Sequence, residues 1–229
     1  MDDKGIPDHI GFIVDGNRRW AKLNGVAKDV HQKGKEVVYD TAVRCFERGV
    51  KYVTFYVFSS ENWHRSPEEV TYLMDLFVAS LKNDTNVFHD NQIKLIFLGS
   101  EDRVNTDTLR TMRQTEEDTK NYAKGTVCIC FDYGGQQEIA DAVKKIVGSG
   151  VTASEVTTDL VGQNIYHPEI PPIDIVVRTG GELRISNFML WRLAYSEFLF
   201  LEKLWPEMTP TDIDAVIDEY TKRSRRFGR

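Results

Sequence analysis

Residues 15–21 place an acid, a glycine, an amide and two guanidinium groups next to one another, in the order Asp-Gly-Asn-Arg-Arg-Trp-Ala. Backbone N–H groups at the start of a helix favour a phosphate, and arginine donates forked, charge-assisted hydrogen bonds to phosphate oxygens. Asp15 is a carboxylate of the kind that Mg²⁺ takes together with water and phosphate oxygens. The alternative interpretation is a capped turn followed by two solvated arginines.

Two later segments offer the same kinds of group. Residues 59–65 combine hydroxyl, amide and guanidinium donors with a large aromatic side chain. Residues 178–186 set Arg178 and Arg184 on either side of a Gly-Gly pair, with the hydroxyl of Ser186 close by. A polar loop and an ordinary Gly-Gly turn are the alternatives, but the repetition of the pattern favours anion binding.

Common nucleotide-binding and zinc-binding motifs are missing from the sequence. It has no Gly-x4-Gly-Lys-Ser/Thr loop, no Gly-x-Gly-x-x-Gly and no His-Glu-x-x-His. Cys128 and Cys130 alternate along one predicted strand, which favours core packing over a metal site. Of the histidines, His31 lies within sequence reach of residues 15–21, whereas we expect His9 at the surface.

Alternating strands and helices are expected to position these segments. Five short apolar runs predict strands at residues 10–14, 52–58, 93–98, 127–131 and 173–177. Apolar stripes at helical spacing lie at residues 70–81, 139–146 and 213–220. The alternation predicts one α/β domain over residues 1–229, with a mainly parallel sheet flanked by helices. Because ligands of such sheets bind beyond the carboxyl ends of the strands, we expect the three polar segments to meet at one edge.

Composition narrows the class of protein. The 229 residues contain 29 Lys and Arg against 35 Asp and Glu, a net charge of -6, which argues against a general nucleic-acid binder. No apolar run approaches the roughly 18 residues needed to span a bilayer, and the N-terminus lacks a signal-peptide pattern. Three cysteines fit a reducing compartment. We expect a cytoplasmic protein, with peripheral contact to a membrane through its product left open.

Taken in order and spacing, these segments resemble one family, the cis-prenyltransferases, also called the undecaprenyl diphosphate synthase family. The first, third and fifth matching blocks are each specific, and the match runs over nearly the whole chain. The blocks are residues 15–21, 31–34, 58–65, 132–135, 178–188, 191, 195–200, 204–206 and 225–228.

The resemblance implies an enzyme that adds isopentenyl diphosphate to an allylic diphosphate (dimethylallyl, geranyl or farnesyl), creating a cis double bond with Mg²⁺ as cofactor. It implies that Asp15 and Glu197 are the carboxylates near the metal. The residues it assigns to the allylic diphosphate are Gly16, Asn17, Arg18, Arg19, Trp20, Lys28 and His31. Those around the reacting groups are Ser59, Asn62, Trp63 and Arg65, and those for isopentenyl diphosphate are Arg178, Arg184 and Ser186.

The resemblance also implies a homodimer. In this family the segment matching Arg226 and Gly228 reaches the site of a neighbouring subunit, so we expect the basic tail, residues 221–229, to do the same. The alternative for this tail is a solvated helix end.

A growing prenyl chain needs a dry channel, since burial is worth about 0.8 kcal/mol per CH₂. The family resemblance implies a six-stranded sheet with an apolar tunnel between sheet and helices. Strand alternation predicts Phe55 and Val57 on one face of the second strand, with Tyr56 and Phe58 on the other. Val57 and Phe131 stand where many relatives have smaller residues, so we expect a shortened tunnel and a short or medium product.

Three residues depart from the usual family pattern. Arg18 replaces a common Gly, Asp132 replaces Asn and Gln136 replaces Arg. The departures leave open a relative that joins two allylic diphosphates head-to-middle, giving a lavandulyl-type product. A non-catalytic accessory subunit and an RNA or nucleotide binder are less favoured, because the first-loop acid and the arginines are kept and the chain is acidic. The sequence does not distinguish Asp15, a phosphate oxygen and water as the proton acceptor.

Overall fold

The computed structural model describes residues 5–26, 30–83 and 85–223, without the side chains of Val30 and His31. Four predicted site residues therefore fall outside the described part of the chain, one of them, His31, by its side chain alone. They are Lys28, His31, Arg226 and Gly228.

Six parallel strands form one sheet, in the order β3-β4-β2-β1-β5-β6. In chain order they are β1 (His9–Ile13), β2 (Tyr52–Ser59), β3 (Ile93–Leu98), β4 (Gly125–Tyr133), β5 (Ile175–Arg178) and β6 (Glu197–Phe200). The predicted α/β class and six-stranded, mainly parallel sheet are confirmed, and each predicted strand overlaps an observed one. The apolar pattern did not locate β6, because this edge strand has only four residues and none of them is fully buried.

Helices connect the strands and cover both faces of the sheet. They are α1 (Asn17–Asn24), α2 (Val30–Glu47), α3 (Pro67–Asn83), α4 (Asn86–Asp90), α5 (Thr106–Thr119), α6 (Gly135–Gly148), α7 (Thr158–Asn164) and α8 (Pro210–Lys222). A 3₁₀ turn, Ser60–His64, joins β2 to α3. Proline at the first position and two acids in the first turn favour the start of α3 at Pro67. Within the described residues, no helix is both long and apolar enough to cross a membrane.

Strand β2 departs from the predicted alternation near its carboxyl end. Its register against β4 shifts between Tyr56 and Phe58, as at a β-bulge. Phe58 therefore packs with Phe55 in the larger core cluster, whereas Tyr56 belongs to the cluster on the opposite face. The prediction that Tyr56 and Phe58 share a face was wrong, because the bulge turns one side chain over. Val57 stays 39% exposed as a result.

The prediction for His9 was also wrong, since this side chain is fully buried. Its Nδ1 donates to the carbonyl of Pro171 at 2.9 Å, and its Nε2 accepts from the Thr54 hydroxyl at 2.7 Å. Burial lowers the pKa of His9 from 6.5 to about 4, so the ring is neutral at neutral pH. The two hydrogen bonds hold the start of β1 against β2 and the segment before β5.

This burial predicts a pH dependence of stability. Between pH 6.5 and about 4, the unfolded chain binds a proton at His9 that the folded chain does not, so acid favours unfolding. From pH 6.5 to pH 5 we expect the free energy of unfolding to fall by about 2 kcal/mol through this group alone. Urea unfolding of the protein and of His9→Gln at both pH values measures it. His64→Gln, at an exposed ring, is the control, and an unchanged pH slope in His9→Gln would contradict the assignment.

Candidate active site

Three polar segments meet at the carboxyl edge of the sheet. The strand β1 lies between β2 and β5, so the residues that follow these three strands are neighbours in space. Asp15 follows β1, the 3₁₀ turn Ser60–His64 follows β2, and Arg178 ends β5. The expectation that residues 15–21, 59–65 and 178–186 come together at one edge agrees with this topology.

An ion pair joins the ends of β1 and β5. Arg178 Nη2 donates to Asp15 Oδ2 at 2.9 Å, with the guanidinium only 4% exposed and the carboxylate 32% exposed. The other oxygen, Asp15 Oδ1, accepts the N–H of Gly16 at 2.6 Å and lies 3.4 Å from Arg19 Nη2. Two guanidinium groups therefore converge on one carboxylate that remains accessible from the cavity.

Arg178 is held in place by several acceptors. Its Nη1 donates to Ser186 Oγ at 2.8 Å and to the carbonyl of Arg184 at 2.5 Å. Its Nε is buried and has no hydrogen-bond partner among the described residues. A buried donor without an acceptor is costly.

Glycine allows the backbone to pass close to these side chains. Gly16 has φ +108, and a Cβ there would lie 2.9–3.0 Å from Leu204. Gly180 has φ +87, and a Cβ there would lie 2.3 Å from Arg19 Nη2. Arg19 Nη1 donates to the Gly180 carbonyl at 2.7 Å, which fastens the first helix to the loop after β5. A side chain at Gly180 would break this contact.

The loop after β2 supplies a further set of polar groups. Asn62 Oδ1 accepts the backbone N–H of Ser59 at 3.1 Å, as in a capping box at the 3₁₀ turn. Arg65 Nη1 pairs with Glu69 Oε1 at 2.8 Å across one turn of α3. Ser59, Asn62 and Arg65 all line the same cavity as Asp15.

The cavity has a volume of about 680 Å³, a polar mouth and an apolar interior. Polar side chains at its mouth are Asp15, Asn17, Arg18, Arg19, Lys35, Ser59, Asn62, Arg65, Arg178, Glu182 and Arg184. Apart from Ser80 and Thr85, the rest is lined mainly by apolar and aromatic residues from the sheet, α2, α3 and α4, among them Val38, Tyr39, Leu73, Phe77, Leu81, Phe88, Leu95, Ile129 and Phe131. The predicted apolar tunnel between sheet and helices is thus present.

Aromatic rings narrow the interior of the cavity. Phe131 and Phe77 stack with their ring centroids 3.9 Å apart, and Phe58 lies 5.4 Å from Phe131. Val57, beside them on β2, also lines the wall. Burial raises the pKa of Tyr56, which lines the cavity and donates its hydroxyl to the Tyr133 carbonyl at 3.2 Å. Tyr56 is therefore a neutral wall residue.

Three predicted binding residues lie outside the cavity lining. Trp63 packs behind the wall against Phe58, with its ring edge to face, and its Nε1 donates to Asp132 Oδ1 at 2.8 Å. Ser186 reaches the site only through Arg178, and Trp20 does not line it. Trp63 therefore contacts the cavity wall from behind, through the side chain of Phe58.

Asp132, which departs from the usual family pattern, does not face the cavity. Its carboxylate is fully buried and pairs with Arg103, whose guanidinium lies 5.5 Å from the centroid of the Trp63 ring. Arg103 Nη1 also approaches the Ser60 carbonyl at 3.4 Å. No sequence pattern singled out Arg103, which stands in an ordinary polar loop. The pair packs against the turn that carries Asn62.

Within one chain, Glu197 and Asp15 are far apart. Glu197 pairs in register with Ile175, which pairs with Ile10 near the start of β1. Asp15 lies five residues further along that direction, about 16 Å at the usual rise of a strand. Glu197 pairs instead with Arg223 at 3.3 Å. The predicted two-carboxylate metal site does not form inside one chain.

Sequence reasoning missed Glu182 as a site residue. Its Oε2 pairs with Arg184 Nη1 at 2.5 Å, and both side chains line the cavity. The signal was present, since an acid stands between the Gly-Gly pair and the second arginine. The cavity residues of α2 were also missed, although they follow the His31-x-x-Gly34 block at helical spacing.

The donor set at Asp15 is compatible with Mg²⁺. This cation usually takes one or two carboxylates and completes its octahedral shell with water and substrate phosphates. Asp15 has lone pairs left on both oxygens and is partly open to the cavity. Across the residues that the structure describes, no group of three or more His, Cys, Asp or Glu side chains gathers, at Asp15 or elsewhere.

A family model described as putative undecaprenyl diphosphate synthase matches residues 13–228. The isoprenyl transferase of Thermotoga maritima is 42% identical over 226 residues, covering 97% of this chain and 97% of that protein. The isoprenyl transferase of Neisseria gonorrhoeae is 39% identical, covering 100% of this chain and 92% of that protein.

Solved structures agree with the sequence relatives. Lavandulyl diphosphate synthase from Lavandula x intermedia, in complex with dimethylallyl diphosphate, aligns with a TM-score of 0.91 at 27% identity, covering 98% of this chain and 99% of that one. A probable undecaprenyl diphosphate synthase from Campylobacter jejuni aligns with a TM-score of 0.85 at 26% identity, covering 99% of this chain and 100% of that one.

The buried fork of Arg178 predicts how the mouth of the cavity binds an anion. Arg178→Lys keeps the charge, but one ammonium cannot reach Asp15, Ser186 and a phosphate with the same planar geometry. We expect the affinity for inorganic pyrophosphate, measured by calorimetry, to fall about tenfold to a hundredfold. Arg110→Lys, at an exposed ion pair on α5, is the control. Equal affinity in Arg178→Lys and the parent protein would place pyrophosphate elsewhere.

Proposed function

The chain belongs to the undecaprenyl diphosphate synthase family of cis-prenyltransferases, and we propose that its cavity joins isopentenyl diphosphate to an allylic diphosphate to give a short or medium cis-polyprenyl diphosphate. One observation carries the proposal. A carboxylate flanked by two guanidinium groups, Asp15 with Arg178 and Arg19, stands at the mouth of a deep apolar cavity. This combination matches a substrate with a charged head and a hydrocarbon tail.

The first turn of α1 is the binding site for the allylic diphosphate. Its backbone N–H groups lack partners in the helix, as at any helix start, and Gly16 lets the phosphate approach them. Arg18 and Arg19 add charge on the exposed side of this turn. The tail of the substrate then enters the apolar interior beneath.

The loop after β5 is the binding site for isopentenyl diphosphate. Arg178 supplies the buried guanidinium, and Arg184 supplies an exposed one that now pairs with Glu182. A diphosphate would replace that carboxylate as the partner of Arg184. Ser186 acts through Arg178, because its hydroxyl accepts from Arg178 Nη1. Two diphosphates thus lie on opposite sides of Asp15.

The reaction begins when the bond between the allylic carbon and its diphosphate oxygen breaks. Negative charge accumulates on the leaving diphosphate, and preorganised donors such as Arg19 stabilise it more in the transition state than in the ground state. Asp15 would hold Mg²⁺, which supplies further neutralisation of that charge when bound. The cavity mouth thereby favours ionisation without a nucleophilic side chain.

The allylic cation is then captured by the alkene of isopentenyl diphosphate. A carbon–carbon bond forms between the two substrates, and the new cation gives a proton to Asp15, a phosphate oxygen or water, which leaves the cis double bond. Ser59 and Asn62 line the same cavity after β2, on the other side of β1 from Arg178, and orient the substrates for this step. The longer allylic diphosphate that results can react again.

Chain growth is limited by the interior of the cavity. Each isoprene unit gains stability by burial, about 0.8 kcal/mol per CH₂, only while the wall has room for it. The stacked rings of Phe77 and Phe131, together with Val57, reduce that room. These residues support the short or medium product in the proposal.

A head-to-middle synthase is the second candidate. The observation in its favour is the similarity to lavandulyl diphosphate synthase, with a TM-score of 0.91 over 98% of this chain. Such an enzyme would place a second allylic diphosphate at the loop after β5. The 38–42% identity to proteins named isoprenyl transferase favours head-to-tail coupling.

Assembly and location complete the proposal. Among the described residues β6 is an edge strand, and the exposed rings of Tyr195, just before it, and Phe198, within it, support a homodimer with Arg226 and Gly228 reaching the partner. Glu197 would act at a metal only across such an interface.

All three cysteines are buried and free, which supports a location in the reducing cytoplasm. The lipid product would bring the protein to the membrane surface. No nucleic acid takes part.

The test of the activity is incorporation of radiolabelled isopentenyl diphosphate with Mg²⁺ and, separately, dimethylallyl, geranyl and farnesyl diphosphates. We expect incorporation that a chelator abolishes. Asp15→Ala should lower turnover at least a hundredfold, because it removes a charge that acts in the transition state. The free energy of unfolding should also fall, because the buried Arg178 guanidinium loses one acceptor, but the variant should still fold, since Ser186 and the Arg184 carbonyl still accept from Arg178.

Two outcomes would overturn the head-to-tail proposal. Product from dimethylallyl diphosphate alone would identify the head-to-middle alternative. No turnover with any allylic substrate, together with stimulation of another synthase, would identify an accessory subunit. Near-parental activity of Asp15→Ala would show that the metal site lies elsewhere.

A second experiment tests the limit on chain length. Phe131→Ala should lengthen the products by one or more isoprene units, because it removes the ring that stacks on Phe77 and so enlarges the cavity. Thin-layer chromatography of the dephosphorylated products measures the distribution. Val147→Ala, at a site 70% exposed on α6, is the control. A dominant parental product of ten or more units, or no shift in Phe131→Ala, would refute the short tunnel.

A further inference from the structure

One side-chain contact links the two loops that carry the polar groups of the site. Asn187 Nδ2 donates to Glu61 Oε1 at 2.9 Å. Asn187 directly follows Ser186, the partner of Arg178, and Glu61 directly precedes Asn62. Both residues stand in the blocks that match the family, yet neither has a role in the site described above.

Asn187 is fixed by the start of α6 as well. Its carbonyl accepts the N–H of Gly135 at 2.7 Å, and its Oδ1 accepts the N–H of Gln136 at 2.9 Å. The amide of Asn187 therefore has one defined orientation, with Oδ1 toward α6 and Nδ2 toward Glu61. Because the Asn187 side chain is bonded both to α6 and to Glu61, it fixes the loop after β5 relative to the loop after β2.

The backbone beside this contact has an uncommon conformation. Ser186 and Asn187 have φ +48 and +64, in the left-handed region that few residues other than Gly, Asn and Asp adopt readily. Such conformations persist where surrounding contacts determine them, and they cluster at binding sites. Here the contacts are those of Asn187 with α6 and with Glu61.

The space around the contact is tightly filled. A Cβ on Gly134 would lie 2.6 Å from Ser60 Oγ and 2.8 Å from Asn187 Nδ2. Ser60 Oγ in turn donates to Glu61 Oε2 at 3.2 Å. The start of α6 thus supports the loop after β2 and the loop after β5 together.

Resting on the function proposed above, we propose that Asn187 and Glu61 are positioning residues, whose hydrogen bond sets the distance between the Ser186–Arg178 group and the Ser59–Asn62 group. Isopentenyl diphosphate must contact the first group while its alkene lies near the second. Loss of the bond lets the loops separate, so the head group and the alkene are no longer placed together.

Exchange of donor and acceptor tests the contact directly. Asn187→Asp keeps the acceptor for Gln136 and tolerates a positive φ, but it faces Glu61 with a second carboxylate. Glu61→Gln keeps an acceptor for Asn187. The double variant restores one amide and one carboxylate in reversed order. We expect Asn187→Asp to raise KM for isopentenyl diphosphate about tenfold, Glu61→Gln to change it about twofold or less, and the double variant to recover most of the loss.

The control places the same chemical change at a remote pair. Gln114 Nε2 donates to Asp118 Oδ1 at 2.8 Å on the outer face of α5, and Gln114→Glu creates the same clash of carboxylates there. This variant should leave both KM values unchanged. KM for the allylic diphosphate should also change little in Asn187→Asp, a selectivity that a general loss of stability would not give.

Binding without turnover separates this proposal from the proposed activity. Calorimetry with isopentenyl diphosphate alone, with no allylic substrate present, should show the same order of affinities. If the parent protein binds isopentenyl diphosphate but forms no product, the proposed activity is wrong, and the binding measurements still decide the role of the hydrogen bond between Asn187 and Glu61. The proposal would be overturned if Asn187→Asp bound isopentenyl diphosphate with parental affinity, or if the double variant bound it no more tightly than Asn187→Asp. Should Asn187→Asp not fold, Glu61→Ala, at an exposed side chain, replaces it with the same expected rise.

Discussion

The ion pair between Arg178 and Asp15 is the interaction on which the site depends. A guanidinium group that is 96% buried is costly unless acceptors surround it, and Asp15, Ser186 and the Arg184 carbonyl provide them. These acceptors tie β5 to β1 and to the loop that follows β5. The same guanidinium retains an Nε–H without a described partner. A buried guanidinium with one unsatisfied N–H at the ends of two strands supports the proposed binding of an anion there.

The remaining features of the cavity follow from the position of this pair on the sheet. The strands bring polar loops to one edge, so the charged groups gather at the mouth and cannot occupy the interior. Below them, β-branched and aromatic residues of the sheet face α2 and α3, and the wall is apolar. One end of the cavity thus binds charge and the other binds hydrocarbon. A diphosphate with a prenyl tail has the same division.

Much of this arrangement was predictable from the sequence, because strands with continuous apolar runs and loops rich in arginine leave clear local patterns. What the patterns missed depends on contacts between distant segments. The bulge that turns Phe58 over is set by pairing with β4, and β6 is an edge strand too short to show a pattern. Burial of His9 depends on acceptors and donors from Thr54 and Pro171. The separation of Glu197 from Asp15 follows from the strand register alone.

A crystal structure with isopentenyl diphosphate, a non-ionisable thio analogue of farnesyl diphosphate and Mg²⁺ would test the central claim most directly. We expect the two diphosphates on either side of Asp15, one within hydrogen-bonding distance of Arg178 and the other at the first turn of α1. The farnesyl tail should lie against Phe131 in the apolar interior. Diphosphates bound away from Arg178, or a tail lying on the outer surface, would contradict the claim.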